Sequence, residues 1–294
     1  MSSTLKKVKI PVSQIAPLIG LDHYNNFPKV VCELWRKYDR QKFNEIEKDL
    51  QKKNVDIATD SEARRIVRQD IKNGTNIYQQ TRNINTKTGT SQELQEKQQK
   101  IIQDIEKNDN ITKEQKEDLK KQVVSTTNKH HGINNEDSVL KMYEEEKNQK
   151  IISGQENMTY SFHIDDNCGI DWNLHGKYDG LTECGRLIEA KKRQKRLFKC
   201  LRDYEKVQIQ SYLHMKQLEK GALVESYSSN QSRSIYIIDV DYDKDYVEDV
   251  FSKLVKFTTF FSEFINNEEW KNCILTGDKD KGIYNKYVTD YLNI

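Results

Sequence analysis

No stretch of this 294-residue chain is apolar for long enough to cross a bilayer, and the opening MSSTLKKVKI lacks the hydrophobic core of a secretory leader. Cysteine is scarce: Cys32, Cys168, Cys184, Cys200 and Cys273 make an odd total with no C-x-x-C pair, which fits neither a disulfide framework nor a zinc knuckle. A reducing compartment is therefore expected, with a soluble intracellular protein of the cytoplasm or nucleus and no membrane partner. Net charge is nearly absent, +2 from 48 Lys and Arg against 46 Asp and Glu. With no global basic field, any affinity for nucleic acid must come from local clusters.

Charge of both signs is abundant. Charged residues make up 32% of the chain and hydrophobic ones 35%, so a core exists but is diluted by polar segments. Residues 11 to 38 suit two core helices. Ser13 can cap the first, with Ile15, Leu18 and Ile19 inside it and Gly20 ending it; the second starts near Pro28 and carries Val31, Leu34, Trp35 and Tyr38. Between about 40 and 130 apolar positions thin out, from Ile46 and Leu50 through Ile66 and Ile71 to Leu119 and Val123. Several solvated helices are expected there, joined by a loop from Asn73 to Ser91. Asn134 or Asn135 then precedes a helix with Glu136 in its first turn, where a carboxylate either answers the helix dipole or reaches a metal from the side. Strands are predicted over 158–164, 172–178, 187–192, 222–227 and 234–242, with helices over 200–218 and 246–265. Helices before, within and after the strands indicate an α/β fold, a central mixed sheet flanked by helices.

The chemistry concentrates in HGKYDGLTECGRLIEAKKRQKR, from His175 to Arg196. An extended segment ending at Asp179 and Gly180, a turn, and a strand carrying Glu189, Ala190 and Lys191 would gather two carboxylates and an ammonium, because Glu189 and Lys191 share one face of a strand. Phosphodiester hydrolysis uses such a set: the carboxylates hold Mg2+ or Mn2+, and the ammonium orients water or offsets phosphate charge. An amphipathic hairpin with a wet face is the competing reading of these residues alone.

Taken in order, the motifs resemble the PD-(D/E)XK nucleases, specifically the branch of lambda-type exonucleases and YqaJ viral recombinases. S-x-I-x-x-L-x-G appears as Ser13, Ile15, Leu18 and Gly20; G-x-x-x-E as Gly132 and Glu136; the D-G hairpin as Asp179 and Gly180; E-x-K as Glu189 and Lys191; and Q-x-x-x-Y as Gln208 and Tyr212. The resemblance covers residues 10 to 40 and 130 to 245. It implies a restriction-endonuclease-like core and a single nuclease domain over 1–294; the charged helical insertion at 40–130 lies inside that domain but outside the resemblance, and reads as helices without chemistry, a DNA-contacting arm or a surface for another subunit. The resemblance also implies Glu136, Asp179, Glu189 and the Ala190 carbonyl as metal ligands, with Lys191 catalytic and Gln208 and Tyr212 supporting the site. Tyr178 stands where the superfamily has proline. Relatives grip a 5′-phosphate with an N-terminal Arg, where this chain offers Lys6, Lys7 and Lys9 beside the Ser13 hydroxyl. Only Cys273 lies near the C-terminus, so no iron–sulfur cluster is expected.

In this setting Lys192, Arg193, Lys195, Arg196, Lys199 and Arg202 read as a lining for a phosphate backbone, or as a solvated turn. The expected function is a metal-dependent DNA nuclease, an exonuclease working from linear ends of single- or double-stranded DNA, in a homo-oligomer if it behaves as its relatives do. A nuclease-fold DNA-binding or assembly protein without useful hydrolysis is the alternative. The abundance of Asn, Lys and Ile suits an AT-rich genome such as that of a large DNA virus.

Overall fold

The computed structural model describes residues 5–24, 26–53, 55–84, 90–165, 168–229 and 232–294. In chain order the elements are β1 (Lys6–Pro11), a 3₁₀ turn (Val12–Gln14), α1 (Ile15–Leu18), α2 (Phe27–Tyr38), α3 (Arg40–Lys52), α4 (Glu62–Asn73), α5 (Ile77–Arg82), α6 (Ser91–Glu106), α7 (Lys113–Asn134) and α8 (Glu136–Lys147). The strand-rich half follows, with β2 (Ile151–Ser153), β3 (Met158–Asp165), β4 (Ile170–Gly176), β5 (Gly180–Thr182), β6 (Leu187–Lys192), α9 (Asp203–Lys216), β7 (Lys220–Ser228) and β8 (Arg233–Asp241). The chain closes with α10 (Lys244–Phe264), α11 (Glu268–Leu275), α12 (Gly282–Tyr287) and a π-turn (Val288–Leu292).

The fold is α/β, with mixed sheets flanked by helices. The strands divide into two hydrogen-bonded sheets, β1-β4-β3 and β2-β5-β6-β7-β8. Each joins one parallel pair, β1 with β4 or β6 with β7, to antiparallel neighbours. α9 packs against β6 and β7 of one sheet and β3 of the other, which makes it the bridge between them. Strand β1, absent from the sequence expectation, alternates exposed Lys7 and Lys9 with fully buried Val8 and Ile10. That period of two fixes which face enters the core.

The main core is strongly aromatic. Phe257, Phe260, Phe261 and Phe264 of α10 pack with Phe27 and Trp35 of α2, Trp172 of β4 and Tyr287 of α12. Pro28 sits in the first turn of α2, where its missing N–H costs nothing. Ser13 lies in the 3₁₀ turn, exposed, and Gln14 takes the cap position of α1 with no side-chain cap bond, so the expected Ser13 cap does not form. Gly20 follows that short helix at φ +90°.

The polar stretch from 40 to 130 is helical as expected and has a small core of its own, formed by Ile66, Ile77, Ile101, Ile105, Ile111, Leu119 and Val123. Each such side chain contributes roughly 1.5–3 kcal/mol relative to exposure. Two expectations change here. The loop from Asn73 to Ser91 contains α5, because the Asp70 carboxylate accepts the N–H groups of Ile77 and Tyr78 at 3.0 and 2.7 Å and so starts a helix. The rest of that loop, 85–89, lies outside the described residues. Ile71 is 80% exposed, since five positions from buried Ile66 place it about 140° away around the helix.

One close approach fixes α9 against the end of β4. A side-chain carbon added at Gly176, the last residue of β4, would lie 2.7 Å from the Tyr212 ring and 2.8 Å from its hydroxyl. Gly176→Ala should therefore destabilise the protein by about 1–3 kcal/mol, the usual cost of overpacking. Urea unfolding measures this. A variant as stable as wild type would show that α9 yields freely at this point.

Candidate active site

The hairpin at the centre of the molecule is offset from its sequence expectation. β4 stops at Gly176, and β5 begins at Gly180 instead of ending there. The segment between the two strands is tied down where Gln155 donates its backbone N–H to the Tyr178 carbonyl at 2.9 Å, and where Gly154 packs on the Asp179 backbone so closely that no side chain fits. β5 and β6 pair as Gly180 with Ile188 and Leu181 with Leu187, across a turn containing Gly185 at φ +78°. Asp179 thus falls one residue before the first rung. Its Oδ2 accepts the Ala190 N–H at 2.7 Å, and its side chain takes over the bond that a further rung would have supplied.

Alternation along β6 sorts the remaining groups. Ile188 and Ala190 lie on the face covered by Val139 and Tyr143 of α8, while Leu187, Glu189 and Lys191 share the face toward α9. Glu189 is 2% exposed. Its Oε1 accepts from Lys191 Nζ at 2.5 Å and from Gln208 Nε2 at 2.8 Å. Its Oε2 is buried with no hydrogen-bond partner. A buried carboxylate oxygen with nothing to accept from costs free energy, on the order of 1–3 kcal/mol or more for a charged group. Ala190, whose N–H meets Asp179, turns its carbonyl to the same edge of the strand, because both backbone groups of one strand residue face one side.

Electrostatics follow from this crowding. Burial pushes the Asp179 carboxyl up to about 6; the Glu136 charge adds to that, and Lys191 and the Ala190 N–H oppose it. Burial likewise raises Glu189 to about 7, against Lys191 and with help from Asp179. For Lys191 burial acts downward, but the Glu189 and Asp179 carboxylates outweigh it and hold the ammonium charged. Glu136, at the first residue of α8, is raised by burial and by Glu189, with Lys191 opposing. Glu136 therefore interacts with the other carboxylates through its charge, and it makes no hydrogen bond to them. Among the described residues no three His, Cys, Asp or Glu side chains close around one point as a metal centre would. Asp179 and Glu189 converge, while Glu136 stands to one side.

The other expected residues divide. Gln208 donates to Glu189, and Tyr212, one turn further along α9, lies buried beneath the cluster, its hydroxyl kept protonated by burial and the Glu189 charge. Lys192 is half-buried and its ammonium is destabilised by burial and then by Arg233. Arg193, expected to line a phosphate groove, is instead buried in an ion triad. Its Nε donates to Glu225 at 2.6 Å and its terminal nitrogen to Glu205 at 2.7 Å. Glu225 also accepts the N–H groups of Phe198 and Lys199, so the triad folds the 193–202 loop onto the sheet. Lys195, Arg196 and Lys199 remain exposed on that loop. Among the N-terminal lysines, Lys6 lies over the Tyr38 ring at 4.7 Å and Lys7 is 3.9 Å from Asp171. Gln155, whose Nε2 reaches Asp179 Oδ1 at 3.3 Å, was missed, since a glutamine in a polar loop carries no periodic signal.

The raised carboxyls predict a pH dependence of stability. A folded-state value above the unfolded one, about 4 for a carboxyl, contributes stability at low pH that is lost as pH rises through 6 and 7. A divalent cation, which needs ionised ligands, should offset that loss. Melting curves with and without Mn2+ should show an increment that grows between about pH 5.5 and about pH 8. An increment independent of pH would dissociate these carboxyls from the ion.

No sequence family matches the chain, and no curated protein does. Among solved structures it is similar to an alkaline exonuclease from Laribacter hongkongensis, with a TM-score of 0.36 and 12% identity over 49% of this chain and 73% of that one. The same exonuclease in complex with dAMP aligns over 47% and 69%, with a TM-score of 0.34 and 12% identity. A phage-related exonuclease from Haemophilus somnus aligns over 47% of this chain and 72% of its own, with a TM-score of 0.37 and 10% identity.

Proposed function

We propose that this chain is a divalent-metal-dependent deoxyribonuclease that hydrolyses phosphodiesters from the ends of linear DNA. The observation that carries the proposal is the buried Glu189 carboxylate, its Oε1 occupied by Lys191 and Gln208 and its Oε2 left without a partner, beside an Asp179 fixed through the Ala190 N–H. The donor set is hard oxygen throughout, which fits Mg2+ or Mn2+; such ions are commonly held by one or two carboxylates and retain several waters. Asp179, Glu189 and the Ala190 carbonyl would hold the ion, with Glu136 approaching from the side. When bound, it supplies Lewis-acid polarisation of the phosphoryl oxygen and a more acidic water.

The chain's own residues have distinct tasks. Gln208 and Lys191 both occupy Oε1, so Oε2 is the Glu189 atom left to a cation. Gln155 and the Ala190 N–H fix the two oxygens of Asp179. Lys191, with 30% of its side chain exposed, presents a fixed positive charge to an incoming phosphate and offsets charge that grows on it during attack. Lys192 and the exposed Lys195, Arg196 and Lys199 offer sequence-independent, salt-sensitive attraction to the backbone.

Incubating the protein with linear and covalently closed DNA, with Mg2+ or with EDTA, tests this. Metal-dependent loss of linear DNA with closed circles spared is expected. Cleavage of neither form with Mg2+, nor with Mn2+ in its place, would end the proposal. DNA binding that persists without cleavage in any metal would favour the alternative, a nuclease-fold binding protein.

A further inference from the structure

A cleft of about 1270 Å3 opens between the insertion helices and the core. That exceeds the roughly 300–1,000 Å3 of small-molecule pockets and suits a stretch of polymer. One wall is α4, from which Arg65, Arg68 and Lys72 line the cleft, three and four residues apart and so in one stripe. The core supplies the facing wall with Tyr24, Lys29 in the first turn of α2, and Lys279 beyond α11.

The charges are not equally committed. Arg68 is held at 2.5 Å by both Asp56 and Asp60. Arg65 donates to the Ile57 carbonyl at 3.2 Å, yet its Nε is buried without a partner. Among the described residues Lys29, Arg65, Lys72 and Lys279 are in no ion pair, while Asp56, committed to Arg68, and Asp118 are the acidic side chains that also line the cleft. A buried guanidinium N–H with no acceptor, beside unpaired ammonium groups, calls for an anion.

Contacts through α9 connect the Tyr24 end of the cleft with the cluster around Glu189. Tyr24 is 64% exposed, and its ring meets Tyr204 edge to face at 6.2 Å. Tyr204 precedes Gln208 by four residues on α9, so the two share a face, and Gln208 touches Glu189. Along α9, one helical turn, about 5.4 Å, separates Tyr204, which the Tyr24 ring touches, from Gln208.

We infer that the cleft holds single-stranded nucleic acid, its phosphates against Lys29, Arg65, Lys72 and Lys279 and an unpaired base stacked on Tyr24, in line with the catalytic cluster. This deepens the nuclease reading and rests on it. A single strand is favoured over a duplex because the exposed ring offers a stacking face, which only a base released from its helix can use. The positive stripe follows a backbone without reading sequence.

Fluorescence anisotropy with a short labelled single strand and a blunt duplex, in EDTA across a salt series, tests the inference on the full chain. Arg65→Ala with Lys72→Ala should weaken single-strand binding by about tenfold or more and reduce the salt slope by about 1.4, two contacts at about 0.7 each. Tyr24→Ala should weaken it by about fivefold or more. Exchanging the charges in kind, Arg65→Lys with Lys72→Arg, should keep most of the affinity, which separates lost contacts from lost fold. Unchanged affinity and slope in the alanine pair, equal loss in the charge-keeping pair, or weakening of duplex binding alone would overturn the inference. None of these binding results depends on hydrolysis, and the metal-dependent cleavage assay stands or falls separately.

Discussion

Lys191→Ala protein should degrade linear DNA about 10²–10³-fold more slowly than wild type while binding it within a few-fold, the cost of removing one charge aimed at a developing negative centre. The ammonium sits 2.5 Å from Glu189 Oε1, its charge sustained by Glu189 and Asp179 together. Glu189→Gln should lose as much activity for a different reason. The amide still accepts from Gln208 and Lys191 through its oxygen, but it places an N–H₂ where Oε2 now lies bare, which repels a cation. Single-turnover cleavage with each variant, alongside anisotropy, separates chemistry from binding. Wild-type rates in Lys191→Ala would remove this lysine from the reaction.

The second large effect concerns stability. Arg193→Ala should destabilise the protein by about 3–5 kcal/mol, since it leaves two buried carboxylates facing each other without their cation. For a chain of this size that is a fall in melting temperature on the order of 10 °C. Glu205 and Glu225 are both fully buried, and Glu225 additionally anchors the Phe198 and Lys199 amides, so the 193–202 loop should loosen as well. A variant that melts like wild type but binds DNA more weakly would return Arg193 to the groove that its sequence neighbourhood suggests.

The parts of this architecture legible in the sequence are those set by short-range geometry. Glu189 and Lys191 share a strand face because they are two apart, and Gln208 and Tyr212 share a helix face because they are four apart; both relations hold in the fold. Binary patterning likewise marked α2, α9 and the paired β7 and β8. Legibility failed where the partner is remote. Arg193 looks like one more base in a run of lysines and arginines until Glu225, 32 residues on, closes over it. Alternation identifies a strand but not its neighbour, so the division into two sheets was invisible, and β1 passed as a row of lysines. Asp179 reads as the end of a strand, whereas it lies just before one, where its carboxylate accepts the Ala190 N–H. The cleft beside α4 could not be foreseen, because its walls come from positions 24–29, 55–72 and 276–279.

Metal-dependent hydrolysis here requires that Asp179 and Glu189 share a cation. Crystals grown with Mn2+ and measured at its absorption edge report this directly. An anomalous peak within bonding distance of an Asp179 oxygen, Glu189 Oε2 and the Ala190 carbonyl, lost in Glu189→Gln, is the predicted result. No peak there, with manganese bound elsewhere or nowhere while the protein still cleaves DNA, would contradict it.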